Sequence, residues 1–220
     1  MRAIDMLSEE IPPLLHTDKG ETVLLWMDEF KVSHLPVLKN GNFVGVVSES
    51  AVLDHLNLEE DLDHLFDHLP RPFVLENTHI YDILLRISNE KLSVLPVLSE
   101  TEEYRGCISI YGIMSILSNF GSLKEHGGIL VLEINAMDYS LTQIAQIVES
   151  NNAKILSSFI TSSEDSTRLE VTLKINQSNL TAIIRTFERY EYTIKEAFQD
   201  KDAESDLRRR YEALMNFMKF

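Results

Sequence analysis

Lys31-Val32-Ser33-His34-Leu35-Pro36-Val37-Leu38 and Lys91-Leu92-Ser93-Val94-Leu95-Pro96-Val97-Leu98 are one pattern written twice, sixty positions apart. The match extends outward from both copies. Upstream, Val23-Leu24-Leu25 answers to Ile83-Leu84-Leu85. Downstream, Phe43-Val44-Gly45-Val46-Val47-Ser48 answers to Tyr104-Arg105-Gly106-Cys107-Ile108-Ser109, now at an offset of sixty-one. The extra residue falls in the polar stretch Ser99–Glu103. Repeats of this kind decide architecture, so the first half reads as one supersecondary unit used twice.

Each copy reads alike. Val23, Trp26, Met27 and Phe30 lie at i, i+3, i+4 and i+7, and Ile80, Ile83, Leu84 and Ile87 repeat the spacing, which predicts a helix with one apolar stripe. The two stripes are expected to pack the copies on each other. A short apolar strand follows, Leu35–Leu38 or Leu95–Leu98. Its proline lacks an N–H and suits a strand start or an edge. Lys39-Asn40-Gly41-Asn42 carries the Asn-Gly hairpin signal. A second strand runs Phe43–Val47 or Tyr104–Ile108. Ser48 and Ser109 then stand where a hydroxyl can cap a helix, with apolar-patterned segments following at Ala51–Leu56 and Ile113–Leu117.

This helix–strand–strand–helix unit, with its Leu-Pro-Val strand followed by Gly-h-h-Ser, resembles the CBS domain, and two in tandem resemble a Bateman module. The likeness covers about residues 1–120. It implies a pseudo-twofold pair with two clefts, which in the family often bind AMP, ATP or S-adenosylmethionine. It also implies cleft-lining positions: Thr17, Ser33, His34, Leu35, Pro36 and Ser48 in the first repeat, Asn77, Ser93, Val94, Leu95, Pro96 and Ser109 in the second. Nucleotide-binding members carry an Asp three positions after the Thr/Ser. A carboxylate there accepts from both ribose hydroxyls. In this chain those positions are Ala51 and Gly112, so adenine nucleotides are expected to bind weakly or not at all. Ser48 and Ser109 could reach a phosphate or simply cap their helices. His34 could stack on a base or pack beside its strand.

The period changes after Gly127-Gly128. Ile129–Ile134 reads as a strand. Ser140-Leu141-Thr142-Gln143 fits a capping box, and Leu141, Ile144, Ala145 and Val148 continue at helical spacing. Lys154–Thr161 reads as a strand and Ser162–Ser166 as a turn. Arg168–Ile175 alternates apolar and polar residues as a half-buried strand does. Leu180, Ile183, Ile184 and Phe187 mark a second helix, and Tyr192–Phe198 a last strand. The order βαββαβ is the ferredoxin-like plan, and residues 128–199 resemble an ACT domain. That resemblance implies an effector loop at the first β–α connection, here Met137, Asp138, Tyr139, Ser140 and Leu141. No glycine opens this loop, and Tyr139 stands on the approach path.

The 220 residues carry 35 acids and 20 bases, a net charge of −15. Residues 1–70 alone hold 14 acids against 4 bases. This composition disfavours a general nucleic-acid binder or a partner of anionic membranes. The apolar fraction of 44% is enough to build a core, which excludes disorder as the main state. No apolar run approaches the ~18 residues of a membrane span, and the N-terminus lacks a signal-peptide pattern. The single Cys107 cannot form an intrachain disulfide and lies in an apolar strand, where a buried inert thiol is expected. A cytoplasmic location fits that usage. His64 and His68, with Asp61 and Asp67 nearby, have the spacing for a metal on one helix face, but a solvated linker, Glu59 to Pro70, is the preferred reading. No metal, cofactor or catalytic residue is assigned. Arg208-Arg209-Arg210 is a small basic run that i,i+4 ion pairing with Asp206 and Glu212 on a helix explains at least as well as phosphate binding. Leu207, Tyr211, Leu214 and Met218 form one stripe, which predicts a helical tail that docks on its own chain or on a second copy.

The sequence therefore predicts an α+β chain. Its parts are a CBS repeat at 1–65, a second at 66–122, an ACT-like domain at 128–199 and a helical tail at 200–220. The architecture resembles the acetoin-utilisation B-like proteins. The expected function is a non-enzymatic sensor and homodimer whose CBS clefts take a regulatory small ligand, an adenosine compound being one candidate. The alternative is a structural dimerisation module that binds no ligand and docks on a partner enzyme.

Overall fold

The computed structural model describes residues 1–55, 58–63, 69–162 and 167–199. The expected tail at 200–220, the His64/His68 pair, the 65/66 boundary and most of the 162–166 turn lie outside the described residues. The chain is α+β and divides into two compact units, Met1–Ser118 and from Asn119 onward.

The first unit holds two sheets of identical plan. In one, β1 (Leu14–Leu15) runs parallel to β2 (His34–Lys39), which pairs antiparallel with β3 (Asn42–Ser48). Helix α1 (Gly20–Glu29) precedes β2 and α2 (Glu49–His55) follows β3. The second sheet repeats this with β4 (Val74–Leu75), α3 (Ile80–Glu90), β5 (Val94–Leu98), β6 (Tyr104–Ser109) and α4 (Ile110–Ser118). Asn40 and Gly41 both take positive φ, 53° and 82°, as a type I′ hairpin requires. In the second repeat the longer turn is built otherwise. Ser99 Oγ accepts from the Thr101 and Glu103 N–H groups at 3.2 and 3.0 Å, and Glu102 takes φ 61°.

Pro36 and Pro96 correct the expected strand start or edge, because each is the third residue of the central strand of its sheet. The cost is avoided by register. Pro36 faces Val46, whose N–H turns away to Pro70 O at 2.9 Å. The parallel pairing with β1 begins only at Val37.

The segments leading into the repeats are exchanged. Residues 1–8 lie on the second repeat: Ala3 N–H donates to Thr78 O, Ile4 N–H to Glu76 O and Ser8 N–H to Cys107 O. Residues 58–62 lie on the first repeat in the matching place: Glu21 N–H donates to Leu58 O and Leu62 N–H to Asp18 O. The isolated bridges Arg2↔His79 and Lys19↔Asp61 are equivalent positions. Gly106 makes room for the first of these straps, and Gly45 for the segment that follows the second. A Cβ at Gly45 would stand 2.8 Å from Leu69 Cβ and Pro70 O, and one at Gly106 3.3 Å from Leu7.

The apolar stripes correct the expected packing. Val23, Met27, Ile83 and Ile87 are buried, but the main contact between the repeats runs through strands β2 and β5 rather than helix to helix. One core cluster joins Val23, Met27 and Leu35 to Val94 and Cys107 of the other repeat. Phe43 stacks on Tyr104 across the junction, ring centroids 6.2 Å apart. Trp26 is only half-buried against this core and meets Phe30 edge-on at 6.5 Å. Trp26→Ala is therefore expected to cost about 1–2 kcal/mol, below the ~3–5 of a fully buried aromatic. Urea unfolding followed by circular dichroism checks it, and a loss above ~3 kcal/mol would place the indole in the core.

The second unit is one antiparallel sheet in the order β10 (Thr193–Phe198), β7 (Gly128–Asn135), β9 (Arg168–Ile175), β8 (Ile155–Ser162). After the short α5 (Gly121–Lys124), the helices α6 (Leu141–Ser150) and α7 (Thr181–Arg189) complete βαββαβ. Leu130, Leu132 and Ile134 of β7 and Val171, Leu173 and Ile175 of β9 meet Ile144, Ile147, Val148, Ile183 and Phe187 of the helices in one core. Gly127-Gly128 does more than break the chain. A Cβ at Gly127 would sit 1.9 Å from Ile175 O, and one at Gly128 2.7 Å from Leu180.

Candidate functional site

The residues that open β2 and β5 meet at the junction of the repeats. Ser33 N–H donates to Ser93 Oγ at 2.9 Å. Ser93 N–H donates to His34 Nδ1 at 3.3 Å. The hydroxyls of Ser33 and Ser93 also lie 3.1 and 3.2 Å from that nitrogen. Hydroxyls can rotate away, but a backbone N–H cannot, so His34 Nδ1 is an acceptor. His34 is half-buried, and burial holds its imidazole below the usual histidine range.

That shift sets a pH dependence. A depressed histidine favours the folded state fully above the unfolded pKa near 6.5. Stability is lost as pH falls from there to the folded value, because the unfolded chain binds the proton first. Burial is the sole cause of the shift. The side chains hydrogen-bonded to the ring are the uncharged Ser33 and Ser93, which lie just before β2 and β5, and its backbone partner on β3 is Ser48. His34→Asn keeps an acceptor near the Nδ1 position and removes the titration. Urea midpoints for this variant are expected to fall less between pH 7 and 5 than those of the parent chain. Parallel curves would overturn the assignment.

The other residues of the resemblance are placed as follows. Leu35, Pro36, Val94, Leu95 and Pro96 are buried, the strand interiors behind the junction. Ser48 Oγ caps α2 by accepting from Ala51 N–H at 3.2 Å, and Ser109 Oγ caps α4 through Gly112 N–H at 3.0 Å. Thr17 and Asn77 are exposed in equivalent turns after β1 and β4. Ala51 and Gly112 thus sit one turn beyond their serines with no carboxylate. Cys107 is buried, its thiol pushed up to about 11 by burial, and it donates to Ile11 O at 3.8 Å. This is an inert thiol. The Tyr104 hydroxyl is buried and has no hydrogen-bond partner among the described residues, and burial raises its pKa.

In the second unit, the first β–α loop is split by the structure. Met137 is 91% exposed. Ser140 Oγ accepts from Gln143 N–H at 3.3 Å, one arm of the capping box. Gln143 Oε1 instead accepts from Tyr192 OH at 2.9 Å. Tyr139 packs on the sheet–helix core and Leu141 is exposed. Only Asp138 of the five lines a cavity of about 390 Å3, with Glu133, Gln143, Arg168, Tyr190, Glu191 and Tyr192 among its walls. Arg168 pairs with Glu133 at its rim. The α7–β10 turn and Arg168 give no sequence signal for this place, because only the sheet brings them to the end of β7.

Among the described residues no group of three His, Cys, Asp or Glu could hold a metal, and no helix is long and apolar enough to cross a membrane.

Residues 9–58 match the family model of the CBS domain. No curated protein matches the chain. Solved structures are similar over about half of it. A CBS domain pair/ACT domain protein from Thermotoga maritima is 25% identical, with 53% of this chain and 96% of that one covered and a TM-score of 0.46. A protein from Vibrio cholerae described as an acetoin utilization protein (AcuB) is 21% identical, covering 56% and 95%, with a TM-score of 0.49. CBSX2, solved in complex with AMP, is 21% identical over 53% and 95%, with a TM-score of 0.45. A CBS domain is thus present in this chain, at residues 9–58.

Proposed function

We propose that the chain is a non-enzymatic, cytoplasmic regulator whose paired repeats, 1–65 and 66–122, take a small ligand in a cleft, with an ACT-like domain at 128–199 and a tail at 200–220. The observation that carries this reading is the junction itself. Two repeats of one plan, one of them matched by the CBS family, are joined through Ser33, His34 and Ser93 at the positions where the resemblance places cleft walls. A ligand that touches both repeats there shifts their arrangement by its affinity difference between states. An adenosine compound is one candidate, and Ala51 and Gly112 predict that ordinary adenine nucleotides bind weakly.

Thermal denaturation with AMP, ATP, S-adenosylmethionine and free amino acids tests the reading. A ligand at 100 times its dissociation constant is expected to add about 2.7 kcal/mol to the unit that holds it. Submicromolar AMP or ATP would overturn the weak-binding expectation. No shift with any adenosine compound would remove that class.

The second reading, a dimerisation module that docks on a partner enzyme, is favoured by one feature. Equivalent positions on the helices of the two repeats expose large apolar side chains to nearly equal extents: Leu25 62% and Leu85 61%, Leu53 60% and Met114 59%. A second copy or a partner enzyme would cover them. A chain that dimerises by light scattering yet binds no small ligand supports this reading over the first.

A further inference from the structure

In the sheet of the second unit, Phe198 is the register partner of Ile129, Val131 of Thr172, and Thr172 of Phe159. All five lie on the face turned away from α6 and α7, because the residues that alternate with them, Leu130, Leu132, Val171 and Leu173, enter the helix-side core. They form a diagonal band across all four strands, from the β10 edge to the β8 edge. Its two ends are exposed aromatic rings, Phe198 at 55% and Phe159 at 57%. The short α5 touches β8 and leaves Phe159 in that state. Apolar surface gathered in this way marks a contact site. Charge borders it on one side. Glu133 pairs with Arg168 and Glu170 with Lys195, while Glu196 has no ion pair among the described residues, so this border is acidic in excess.

The chain leaves the sheet at one end of the band. Gln199 Oε1 accepts from Leu180 N–H at 3.3 Å, which fixes the exit beside Phe198. Beyond it, residues 200–220 contain no glycine or proline and carry the stripe Leu207, Tyr211, Leu214 and Met218. As a helix, that stripe is about 17 Å long at ~1.5 Å per residue. The band, three strand spacings wide and two residues deep, is about 16 Å from end to end. The connection from Gln199 to Leu207 reaches roughly 25 Å when extended, enough to turn back onto the sheet.

We infer that residues 207–218 form a helix seated on this band of their own sheet, running from Phe198 to Phe159. The inference rests on the helical-tail reading and adds the surface and the choice of chain. A helix of this length needs a surface to be stable. The short tether presents its own sheet at an effective concentration in the millimolar range, well above that of a second copy in dilute solution. Arg208 and Arg210, on the shoulders of the stripe, meet the acidic border.

Hydrogen exchange of the full chain at micromolar concentration, read by mass spectrometry, tests it. Amides of 207–218 are expected to exchange roughly tenfold or more slower than in an unstructured peptide of that sequence. Phe159→Ser alters an exposed side chain and is expected to speed that exchange about tenfold through lost apolar contact, while the amides of Leu132 and Leu173 keep their protection. Phe198→Ser, at the other end of the band, is expected to do the same and stands in if the first variant loosens the sheet. Leu214→Ser should produce the loss from the tail's side. Fast exchange throughout 207–218 in the parent chain overturns the tail helix itself. Slow exchange there that neither sheet variant disturbs keeps the helix and overturns this seat. A mixture of Phe159→Ser and Leu214→Ser chains pairs an intact tail with an intact sheet only between copies. Protection of 207–218 is expected to stay low in that mixture, and its recovery would place the tail on a second copy and overturn the intrachain seat.

Discussion

Phe187→Ala is expected to cost about 3–5 kcal/mol, the range for a fully buried aromatic. Its ring is 0% exposed, wedged between the sheet and α6, and meets Tyr192 edge-on with centroids 5.4 Å apart. The loss should be confined to the second unit, because the core around Phe187 shares no residue with the three clusters of the first. The chain provides its own reporter. Trp26 is the sole tryptophan and lies in the first unit. In urea, the tryptophan fluorescence transition is expected to stay in place while part of the circular dichroism signal is lost at lower denaturant. A fluorescence transition that moves with the mutation would show that the units unfold as one.

Leu35→Ala should cost about 2–5 kcal/mol and behave in the opposite way, spreading across both repeats. Leu35 is 0% exposed in a cluster that includes Val94 and Cys107, strand residues of the other repeat. The cavity left behind therefore weakens the wall between the repeats as well as the first sheet. Hydrogen exchange reads the distinction. Amides of β5 and β6, such as those of Leu95 and Ile108, are expected to lose as much protection as those of β2. Unchanged protection in the second repeat would mean that each repeat is stable alone.

The repeat was legible because it is local. An apolar strand, a turn and a second strand ending in glycine and serine recur with their spacing, and both the caps at Ser48 and Ser109 and the Asn40-Gly41 turn follow from neighbours in sequence. The alternation through Arg168–Ile175 likewise fixed which face of β9 is buried. What depended on distant segments was not legible. Nothing in Ser93 announces that its N–H will meet His34, fifty-nine residues away. Gly45 and Gly106 read as parts of a strand motif, yet the residues that need their missing side chains are Leu69, Pro70 and Leu7. Trp26 sits on the right helical face, but periodicity reports a face and not the depth of the groove it enters. Gln143 was read as half of a cap, while the sheet delivers Tyr192 to claim its side chain.

The exchanged straps also set a timetable for synthesis. Residues 58–62 return to the loop at 18–21, so the first sheet can be clasped soon after its own strands leave the ribosome. Residues 1–8 have no such option, since their acceptors are Glu76, Thr78 and Cys107. The earliest part of this unit to emerge is therefore among the last to dock, waiting through about a hundred residues of elongation, several seconds at ~5–20 residues per second. Until then the floor of the second repeat, Ile80 and Val97 among it, lacks the cover of Ala3 and Met6. Closing so long a loop adds little equilibrium cost over a short one, since the penalty grows only with the logarithm of length. The exchange is thus a matter of order in time more than of final stability.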